Sequence, residues 1–585
     1  MDRQKLPQMT VVTTTTTATA TTTMILPPSL GALATVFSES FVLYLNLLDR
    51  LPGGPIILRY IRLSYKNDPI RSVFELALFL FAVHYFLMSK RKENKDVLKL
   101  SKREIDGLCA DWKPEPLLDP VTDEEKWQLK CVPVIHGQNG AHISVSLQHS
   151  KGTQRQVVNL ASYDFLNLNE SERVKEAAKD TISSTGVGAC GPPNFYGTQD
   201  VHVRLEEDLA NYFGGEQAII YGQDFVTAGS VIPAFLKRGD LCVVDSGVNI
   251  AIQKALIVSR CDIEWFDHND TEHLEQILKE IKPVLDKQKP IKRRFIVTEG
   301  LFANTGDLPK LPEIVRLKNK YKYRLFLDET LSIGSLGKSG RGVVEHFDIP
   351  RSEISITIGS LANSLASSGG FCVGVNPMVH HQRISSLAYV FSASLPPYSA
   401  RAASQSLREI GEDLDKDGKS KLVSKLHDNI SFVRATLAKS IPTQYLSIVS
   451  EKLSPIIHLQ LNEKYRESLG FPLFYGSAEF LNTGKPSRTL NEFSHSLNWE
   501  SFILQKIIDG CLLQYGILIT RSHNILKHEN LPLTPPHLMV MVKVGVEQEE
   551  LNALSKALSA VVPGVCSRYA SEASFLSSTN ELINY

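Results

Sequence analysis

One apolar segment stands out from the rest of the chain. Ser72 to Met88 reads SVFELALFLFAVHYFLM, in which Glu75 and His84 are the notable polar interruptions. Such a run suits a short membrane-spanning helix, because a hydrocarbon core of about 30 Å takes roughly 20 helical residues. The basic flank from Lys90 to Glu104 predicts that the residues after it lie in the cytosol. The alternative is a buried core helix. In a spanning helix, Glu75 should face a partner or the lipid headgroups.

The segments around this helix differ in pattern. Residues 1–37 form a Thr-rich tail for which we predict disorder, since Thr13 to Thr23 has neither charge nor apolar periodicity. A transit peptide is the alternative, but the tail lacks an Arg-rich amphipathic pattern. In residues 38–70, helical apolar spacing predicts an amphipathic segment that lies in a membrane interface or packs on a domain. The spanning helix takes residues 71–89, and a basic linker with an N-terminal arm takes residues 90–150.

The body of the chain alternates short apolar runs with helical stretches. The runs have strand length and lack strict polar alternation, which is typical of parallel strands covered on both faces. They are Ala218–Tyr221, Cys242–Asp245, Phe295–Thr298, Leu325–Asp328 and Ile354–Ile358. We therefore predict an α/β large domain with a mostly parallel sheet over residues 151–398. A helix from Val201 to Phe213 should stop at Gly214. Strand-like runs beside helices in residues 399–585 predict a smaller α+β domain.

Composition narrows the classes of function. The 585 residues carry 63 Lys and Arg against 63 Asp and Glu, which is unlike the clustered positive charge of a nucleic-acid binder. The eight cysteines include no C-x-x-C pair and are too dilute for a disulfide scaffold. We therefore expect no metal site, neither a zinc ribbon nor any other. A reducing compartment fits the bulk of the chain.

Eight stretches of the body occur in a recognisable order. They are Asn159–Leu168 (NLASYDFLNL), Gly186–Thr198 (GVGACGPPNFYGT), His202–Ala210 (HVRLEEDLA), Phe266–Asp270 (FDHND), Val297–Ile314 (VTEGLFANTGDLPKLPEI), Leu327–Gly342 (LDETLSIGSLGKSGRG), Gly359–Phe371 (GSLANSLASSGGF) and Phe391–Pro397 (FSASLPP). Over residues 110–560 this order resembles the α-oxoamine synthases, pyridoxal-phosphate (PLP) enzymes that condense an amino acid with an acyl thioester. The resemblance implies the fold of the PLP-dependent fold-type-I transferases.

The resemblance also identifies catalytic groups that this sequence lacks. A PLP enzyme of this class needs a lysine amine for its Schiff base, and the family's lysine position falls on Asn363. The family's two histidine positions fall on Asn249 and Leu331. The strand that supplies an arginine holds Met539 and Met541 instead. We therefore predict no catalytic residue in this chain, and we expect Asn363 to fill the vacated pocket.

Asp328 is the exception among these positions. The resemblance gives it the role of the acid that keeps the pyridine nitrogen protonated. Without the lysine, we favour a solvated carboxylate at the end of a strand. Because four other groups are missing from separate loops, the isolated chain should be inactive; an autonomous acyltransferase of the same family is the alternative.

Part of the family shares these departures. Three features are similar to the lysine-free long-chain-base subunits: a membrane segment followed by DWKPEPL (Asp111–Leu117), the loop ACGPPNFYGT (Ala189–Thr198) and the lysine-free LANSLASSGGFCVG (Leu361–Gly374). This implies a heterodimer with a lysine-bearing catalytic subunit that holds PLP, in the endoplasmic reticulum membrane with most of this chain cytosolic. The pair would join L-serine and palmitoyl-CoA to give 3-ketosphinganine, the first step of sphingolipid synthesis. Small activating subunits and Orm-type regulators are further implied partners, and a membrane-anchored scaffold is the alternative.

The same family implies where this chain would act. Fold-type-I active sites form where two protomers meet, so a lysine-free protomer is able to complete its partner's site. We hypothesise that the hydroxyls of Ser392 and Ser394 reach the phosphate of the partner's PLP, although local capping beside Pro396 is an alternative. For Cys190 a small buried hydrophobe is the alternative. The loop that should border the shared cleft holds Cys190, Phe195, Tyr196 and Gly197.

Overall fold

The computed structural model describes the chain in several ranges, namely Arg50 and residues 53–90, 100–114, 123–147, 153–287, 292–476, 494–524, 526 and 529–583. It divides the chain into two compact units, residues 1–119 and 120–585. The predictions for the tail of residues 1–37 and for the amphipathic helix before Arg50 lie outside the described residues.

The described part of the first unit is helical, with α1 (Gly54–Asn67), α2 (Pro69–Lys90) and α3 (Lys102–Asp111). In α2, residues Pro69–Met88 have a mean hydropathy of 1.6 and their apolar window is not buried in the structure. By length and composition this helix is able to cross a membrane, and the alternative of a buried core helix is not supported. The carboxylate of Glu75 accepts hydrogen bonds from Arg71 Nε at 2.9 Å and from the Tyr60 hydroxyl at 3.3 Å, and whether it faces a partner or the lipid headgroups in a membrane stays a prediction.

The second unit begins with an arm that pairs with distant parts of the chain. Helix α4 (Asp123–Lys130) leads into an antiparallel meander of β1 (Pro133–His136), β2 (His142–Leu147) and β3 (Arg155–Asn159). The free edge of β3 pairs in parallel with residues Ile517–Leu518. The indole N–H of Trp127 in α4 donates to Asn498 Oδ1 at 3.1 Å. The arm is therefore held by C-terminal residues.

Seven strands form the central sheet, namely β4 (Gln217–Tyr221), β5 (Leu241–Asp245), β6 (Asp262–Phe266), β7 (Arg294–Glu299), β8 (Arg324–Asp328), β9 (Ile356–Ser360) and β10 (Gly370–Gly374). Their order is β4-β10-β9-β8-β7-β5-β6. Strand β10 runs antiparallel to both neighbours, whereas the pairings among β5 to β9 are parallel. The predicted mostly parallel sheet is confirmed, and each predicted strand begins within two residues of an observed one.

Helices connect and cover these strands. They are α5 (Glu172–Thr185), α6 (Asp200–Phe213), α7 (Asp224–Phe235), α8 (Ile250–Ser259), α9 (Thr271–Lys287), α10 (Leu311–Tyr321), α11 (Val343–His346), α12 (Asn376–Ser385), α13 (Leu387–Phe391) and α14 (Pro397–Glu412). Along β7, Ile296 packs into one hydrophobic core while Phe295 and Val297 pack into another. Both faces of the sheet are thus covered, which explains why its strands lack polar alternation. Helix α6 ends at Gly214 with φ 65°, as predicted.

The C-terminal residues add a third sheet and five helices among the described ranges. The helices are α15 (Lys421–Ser440), α16 (Glu463–Ser468), α17 (His495–Tyr515), α18 (Gln548–Arg568) and α19 (Glu572–Ile583). The strands are β11 (Leu446–Ile448), β12 (Ile456–Leu461), β13 (Ile517–Leu518), β14 (Thr520–Arg521) and β15 (His537–Met541). Strand β13 joins the arm, and the other four form an antiparallel sheet in the order β11-β12-β15-β14. This matches the predicted α+β character.

Candidate functional site

Three carboxylic acids end strands of the central sheet. Asp245, Glu299 and Asp328 are the last residues of β5, β7 and β8, and Glu299 lies opposite Asp328 in the strand register. All three side chains are buried. Because ligands of such sheets bind outside the carboxyl ends of the parallel strands, this edge is the candidate functional site.

Asp328 lies inside the protein with 4% of its surface exposed, so the prediction of a solvated carboxylate was wrong. Its Oδ1 accepts the backbone N–H of Thr330 at 2.9 Å, and its Oδ2 accepts a hydrogen bond from Asn249 Nδ2 at 3.0 Å. The chain after β8 and the start of α8 therefore close over the strand end and exclude water. This burial raises the pKa of Asp328.

Asn249 caps a helix and bridges two of the acids. Its Oδ1 accepts the backbone N–H groups of Ala251 at 3.0 Å and Ile252 at 3.2 Å, which is an N-cap for α8. Its own backbone N–H donates to Glu299 Oε1, and its side-chain amide donates to Asp328. At the position where the resemblance has a histidine, this chain thus has an amide whose donor and acceptor are both engaged.

Asn363 and Leu331 occupy the other degenerate positions of this edge. Asn363 is half-buried, and its Nδ2 donates to the carbonyl oxygen of Thr330 at 3.1 Å. Leu331 has 6% of its surface exposed and belongs to the main hydrophobic core. Both residues therefore pack the strand end instead of presenting a group that exchanges protons.

Two acids of this region were missed by sequence reasoning. Burial and the neighbouring Asp328 raise the pKa of Glu299 well above its usual range. Asp224 lies in the first turn of α7, and burial together with Asp328 raises the pKa of Asp224 to about 6. Helix N-termini favour phosphate groups, so an acid in this turn opposes phosphate binding. Only the pairing of distant strands brings these acids together, so no local signal marks them.

The residues of this edge do not fit PLP. Among the described residues, the contacts of Asp328, Asn249 and Asn363 include no lysine amine, which the Schiff base requires. The side chains of the half-buried Asp224 and the buried Glu299 are hydrogen-bond acceptors when ionised and supply no cation for a phosphate. The residues of this chain's own pocket therefore carry out no reaction step that needs PLP.

The strand expected to carry an arginine carries neutral side chains. Met539 and Met541 lie on β15 and are buried. Beside Met539, the rings of His458 and His537 stack with their centroids 4.2 Å apart. Burial lowers the pKa of His458 well below its usual value and that of His537 to about 4. At the two positions of β15 where the arginine was expected, Met539 and Met541 therefore offer no cation to a substrate carboxylate.

A charged histidine joins the loops around the strand ends. The Nδ1 of His268 lies 2.7 Å from Asp245 Oδ1, and its Nε2 lies 3.0 Å from Asp307 Oδ2. Burial opposes the charged ring, but the hydrogen bonds to both carboxylates outweigh it and raise the pKa of His268 to about 10. The motif Phe266–Asp270 contains this residue, yet its acidic partners are distant in sequence. The cluster acts as a structural clamp.

The loop that was expected to border a shared cleft is exposed and strained. Cys190 has φ 55° and is exposed, which excludes the alternative of a buried hydrophobe. Phe195 is 56% exposed, and Tyr196 is fully exposed with φ 69°. Gly197 is buried, and an added Cβ would lie 2.0 Å from the carbonyl oxygen of Gly191. Strained residues of this kind persist where the surrounding structure holds them, often at functional sites.

The segment with the two candidate serines lies against this loop. The backbone N–H of Ser394 donates to the carbonyl oxygen of Gly191 at 3.0 Å. Ser392 is exposed, whereas Ser394 Oγ is buried without a hydrogen-bond partner among the described residues. Ser394 lines a cavity of about 20 Å³, which has room for one water molecule. Of the two hydroxyls, that of Ser392 is therefore the one open to another chain.

Apolar side chains surround the loop. The set, which we name the interface patch, consists of residues that are each more than half exposed, namely Phe195, Tyr196, Ile384, Leu387 and Phe391. The side-chain amide of Asn194 donates to the carbonyl oxygen of Arg383 at 2.5 Å and joins the loop to α12. Exposed clusters rich in aromatic residues are typical of protein interfaces.

Comparisons with known proteins agree with this fold. The family Aminotransferase class I and II matches residues 155–481. Serine palmitoyltransferase 1 of Saccharomyces cerevisiae is 42% identical over 558 residues, which cover 93% of this chain and 98% of the yeast protein. Long chain base biosynthesis protein 1 of Arabidopsis thaliana is 37% identical over 431 residues, covering 74% of this chain and 84% of the plant protein.

A solved structure has the same architecture. The serine palmitoyltransferase of Sphingomonas wittichii superposes with a TM-score of 0.58 at 18% identity, covering 79% of this chain and 96% of the bacterial one. At this identity the likeness shows the fold alone. The predicted fold class, that of the PLP-dependent fold-type-I transferases, is confirmed.

Proposed function

The chain belongs to the family of serine palmitoyltransferase 1 and the long chain base biosynthesis proteins 1, and from this membership we propose that it is the lysine-free subunit of a heterodimeric serine palmitoyltransferase. The reaction is the condensation of L-serine with palmitoyl-CoA to 3-ketosphinganine, the first step of sphingolipid synthesis. PLP is held by the lysine of the partner, the catalytic long-chain-base subunit 2. The transferase fold and the names of the relatives support the broader activity.

The contents of this chain's own pocket carry the proposal. Asn363 donates a hydrogen bond to the carbonyl oxygen of Thr330 in the loop after β8, and Asn249 donates hydrogen bonds to both Glu299 and Asp328. Among the described contacts of this pocket there is no lysine amine to form the Schiff base, and the amides of Asn363 and Asn249 cannot form one. The chain therefore contributes to the reaction through another protomer's site.

The interface patch supports the role of a completing subunit. Its aromatic residues Phe195 and Tyr196 lie on the strained loop beside Cys190, and Leu387 and Phe391 lie on α13. Covering these side chains with a partner would remove apolar surface from water at about 25 cal/mol per Å². The exposed hydroxyl of Ser392 would then lie at the boundary of the two chains, where it would bind the phosphate of the partner's PLP and exclude water from the cleft.

The first unit supports membrane attachment. The apolar helix α2 and the adjoining helix α1 would hold the complex at the endoplasmic reticulum membrane, with the second unit in the cytosol. The exposed apolar residues Ile56, Tyr60 and Leu63 of α1 suit a membrane interface. A small activating subunit and Orm-type regulators are proposed partners of the complex.

Co-expression with a lysine-bearing homologue tests the proposal. We expect serine and palmitoyl-CoA to give product when the two chains are purified together in mild detergent, and no product from this chain alone. Ser392→Ala should lower the activity of the complex by about tenfold, because a charge-assisted hydrogen bond to phosphate is lost. Ser468→Ala, at an exposed serine of α16, is the matched control and should leave the activity unchanged.

The outcome separates two functions. A complex whose activity needs this chain but is indifferent to Ser392, Cys190 and the interface patch would indicate a membrane-anchored scaffold with no part in the active site. Activity of this chain alone would overturn the lysine-free subunit and indicate an autonomous acyltransferase.

A further inference from the structure

A cleft with no role in the proposed function lies at the opposite end of the central sheet. Its volume is about 370 Å³, within the size range of small-molecule sites. It is bordered by Arg324, the first residue of β8, and by Ile356, the first residue of β9. Asp328 ends β8 four residues later, about 13 Å away at the rise of a parallel strand. The cleft is therefore separate from the degenerate pocket.

The floor of the cleft is apolar. Phe235, Ile356 and Met378 contribute buried side chains, and Val375 stands at the rim with 49% of its surface exposed. Alkyl and thioether groups of this kind bind an apolar body and offer it no hydrogen bonds. The floor of the cleft thus suits the apolar part of a ligand and not a wholly polar solute.

Cationic groups border the same cleft. Arg351 is half-buried, and the hydrogen bond found for its guanidinium among the described residues is a long one, from Nη2 to the carbonyl oxygen of Val373 at 3.5 Å. Arg324 is exposed and makes no hydrogen bond or ion pair within the described part of the chain. A guanidinium carries five N–H donors, so most of those on Arg351 are available to a ligand.

The charges of the lining favour an anion. Two arginines face one acid, Glu216, whose Oε2 already accepts the backbone N–H of Asn376 at 2.8 Å. Glu329, a buried acid outside the lining that acts on Arg351, is hydrogen-bonded to Ser332 and to the backbone N–H of Val343. Planar guanidinium groups bind carboxylate and phosphate oxygens in pairs.

From the apolar floor and the arginine rim together, we propose that this cleft binds a small amphipathic anion, a carboxylate or phosphate group carried on a short alkyl chain. Arg351 binds two oxygens of the head group, Arg324 screens its charge at the rim, and the alkyl chain packs on Phe235 and Met378. The binding does not depend on the catalytic role of the chain, so it is testable whether or not the proposed function holds.

Hydrogen exchange measured by mass spectrometry gives a readout at the cleft itself. The full chain would be held in lipid nanodiscs, with and without the proposed lysine-bearing partner, and titrated with octanoate, octyl phosphate, 1-octanol and inorganic phosphate. We expect octanoate, octyl phosphate or both to slow exchange in residues 351–357 and 374–379. 1-Octanol lacks the anionic head group and inorganic phosphate lacks the alkyl chain. Each should therefore need about tenfold higher concentration to give the same protection. Octanoate alone would indicate a fatty-acid-type ligand, and octyl phosphate alone would indicate an alkyl phosphate.

Variants assign the binding to the arginine. Arg351→Gln should lower the affinity of the chain for whichever probe slows exchange by about tenfold. Val375→Glu places a carboxylate at an exposed rim position without touching the core and should abolish protection even where Arg351→Gln disturbs folding. Arg316→Gln, at an exposed arginine paired with Glu313 on α10, is the control and should bind as the unmodified chain does. Equal protection by 1-octanol and octanoate, no protection by any probe, or unchanged binding in both cleft variants would overturn the proposal.

Discussion

The carboxyl edge of the sheet and the interface patch belong to one fold but have opposite character. At the edge, Asp328, Glu299 and Asn249 are linked by hydrogen bonds and closed to solvent. On the patch, Tyr196 and Phe391 are exposed on a loop and a short helix held in place by backbone contacts. The positions where a catalytic protomer would have its reacting groups are therefore occupied by packed, hydrogen-bonded side chains. The side chains that a neighbouring chain would contact are exposed.

The difference separates residues that stabilise the fold from residues that act on a partner chain. Buried acids that share hydrogen bonds with an amide contribute to folding, and their substitution should change stability. Strained and exposed residues contribute nothing comparable to the folded monomer, so their substitution should change what a partner does. Stability and complex activity should therefore respond to different substitutions.

The largest effect on stability is expected at the His268 clamp. His268→Gln removes the cation between Asp245 and Asp307 and should cost about 3 kcal/mol, because the buried carboxylate of Asp245 and the half-buried carboxylate of Asp307 lose their partner. The folded pKa of His268, about 10, lies above the ordinary 6.5, so the stabilisation is complete below about pH 6.5 and is lost as the pH rises through about 10. Melting temperatures across this range should therefore show the gap between the two proteins narrowing with rising pH.

His273→Gln is the control for this prediction. His273 pairs with the exposed carboxylate of Asp267 at 3.1 Å and should matter little. A loss at His273 as large as that at His268, or a gap that widens towards pH 10, would show that the clamp does not act through its charge.

The largest effect on activity is expected at Gly197. In Gly197→Ala the new Cβ would meet the Gly191 carbonyl oxygen at 2.0 Å and Ser394 Oγ at 2.6 Å, so the loop has to move. A shift of about 1 Å in groups that position a site costs roughly 100-fold in rate. Gly188→Ala meets nothing within 4 Å and should retain activity. Assays of both complexes check this, and equal rates would remove the loop from the shared site.

Asn249→Ala should give a smaller loss of stability, about 2 kcal/mol, and no change in the reaction of the complex. The substitution removes a helix cap and leaves the buried Asp328 short of a donor, while the backbone N–H at position 249 still donates to Glu299. Asn462→Ala removes an N-cap from α16 without touching buried acids and should cost about 1 kcal/mol. Denaturant unfolding measures both. If Asn249→Ala instead abolished turnover with stability intact, the closed edge would have a catalytic role.

Cys190→Trp should have the smallest effect, about a tenfold change in the preference of the complex between serine and alanine. The exposed side chain lies on the loop of the interface patch, so a larger group alters the shared cleft while this chain stays folded. Cys109→Trp, at an exposed cysteine of α3, is the control. Kinetics with both amino acids unchanged from those of the unmodified complex would place Cys190 outside the cleft.

The local pattern of apolar and polar residues was enough to predict the strands and helices of the fold. The strand ending at Asp328 and the helix ending at Gly214 were predicted because uninterrupted apolar runs and a terminal glycine are signals within a few neighbouring residues.

The contents of the site could not be predicted in the same way. The burial of Asp328 depends on Asn249, which is 79 residues away, and the clamp depends on Asp307, 39 residues from His268. Asp224 and Glu299 follow no motif that marks them as neighbours. Such contacts arise from strand order in the sheet, which periodicity along the chain does not encode.

Borohydride reduction of the purified complex shows which of the two chains holds PLP. Reduction fixes PLP to the lysine that holds it, and peptide mass spectrometry then identifies the labelled residue. We expect label on the lysine-bearing partner alone, with none on this chain, and a lower fraction of labelled partner in the Ser392→Ala complex. PLP fixed to any lysine of this chain in an active complex would contradict this expectation.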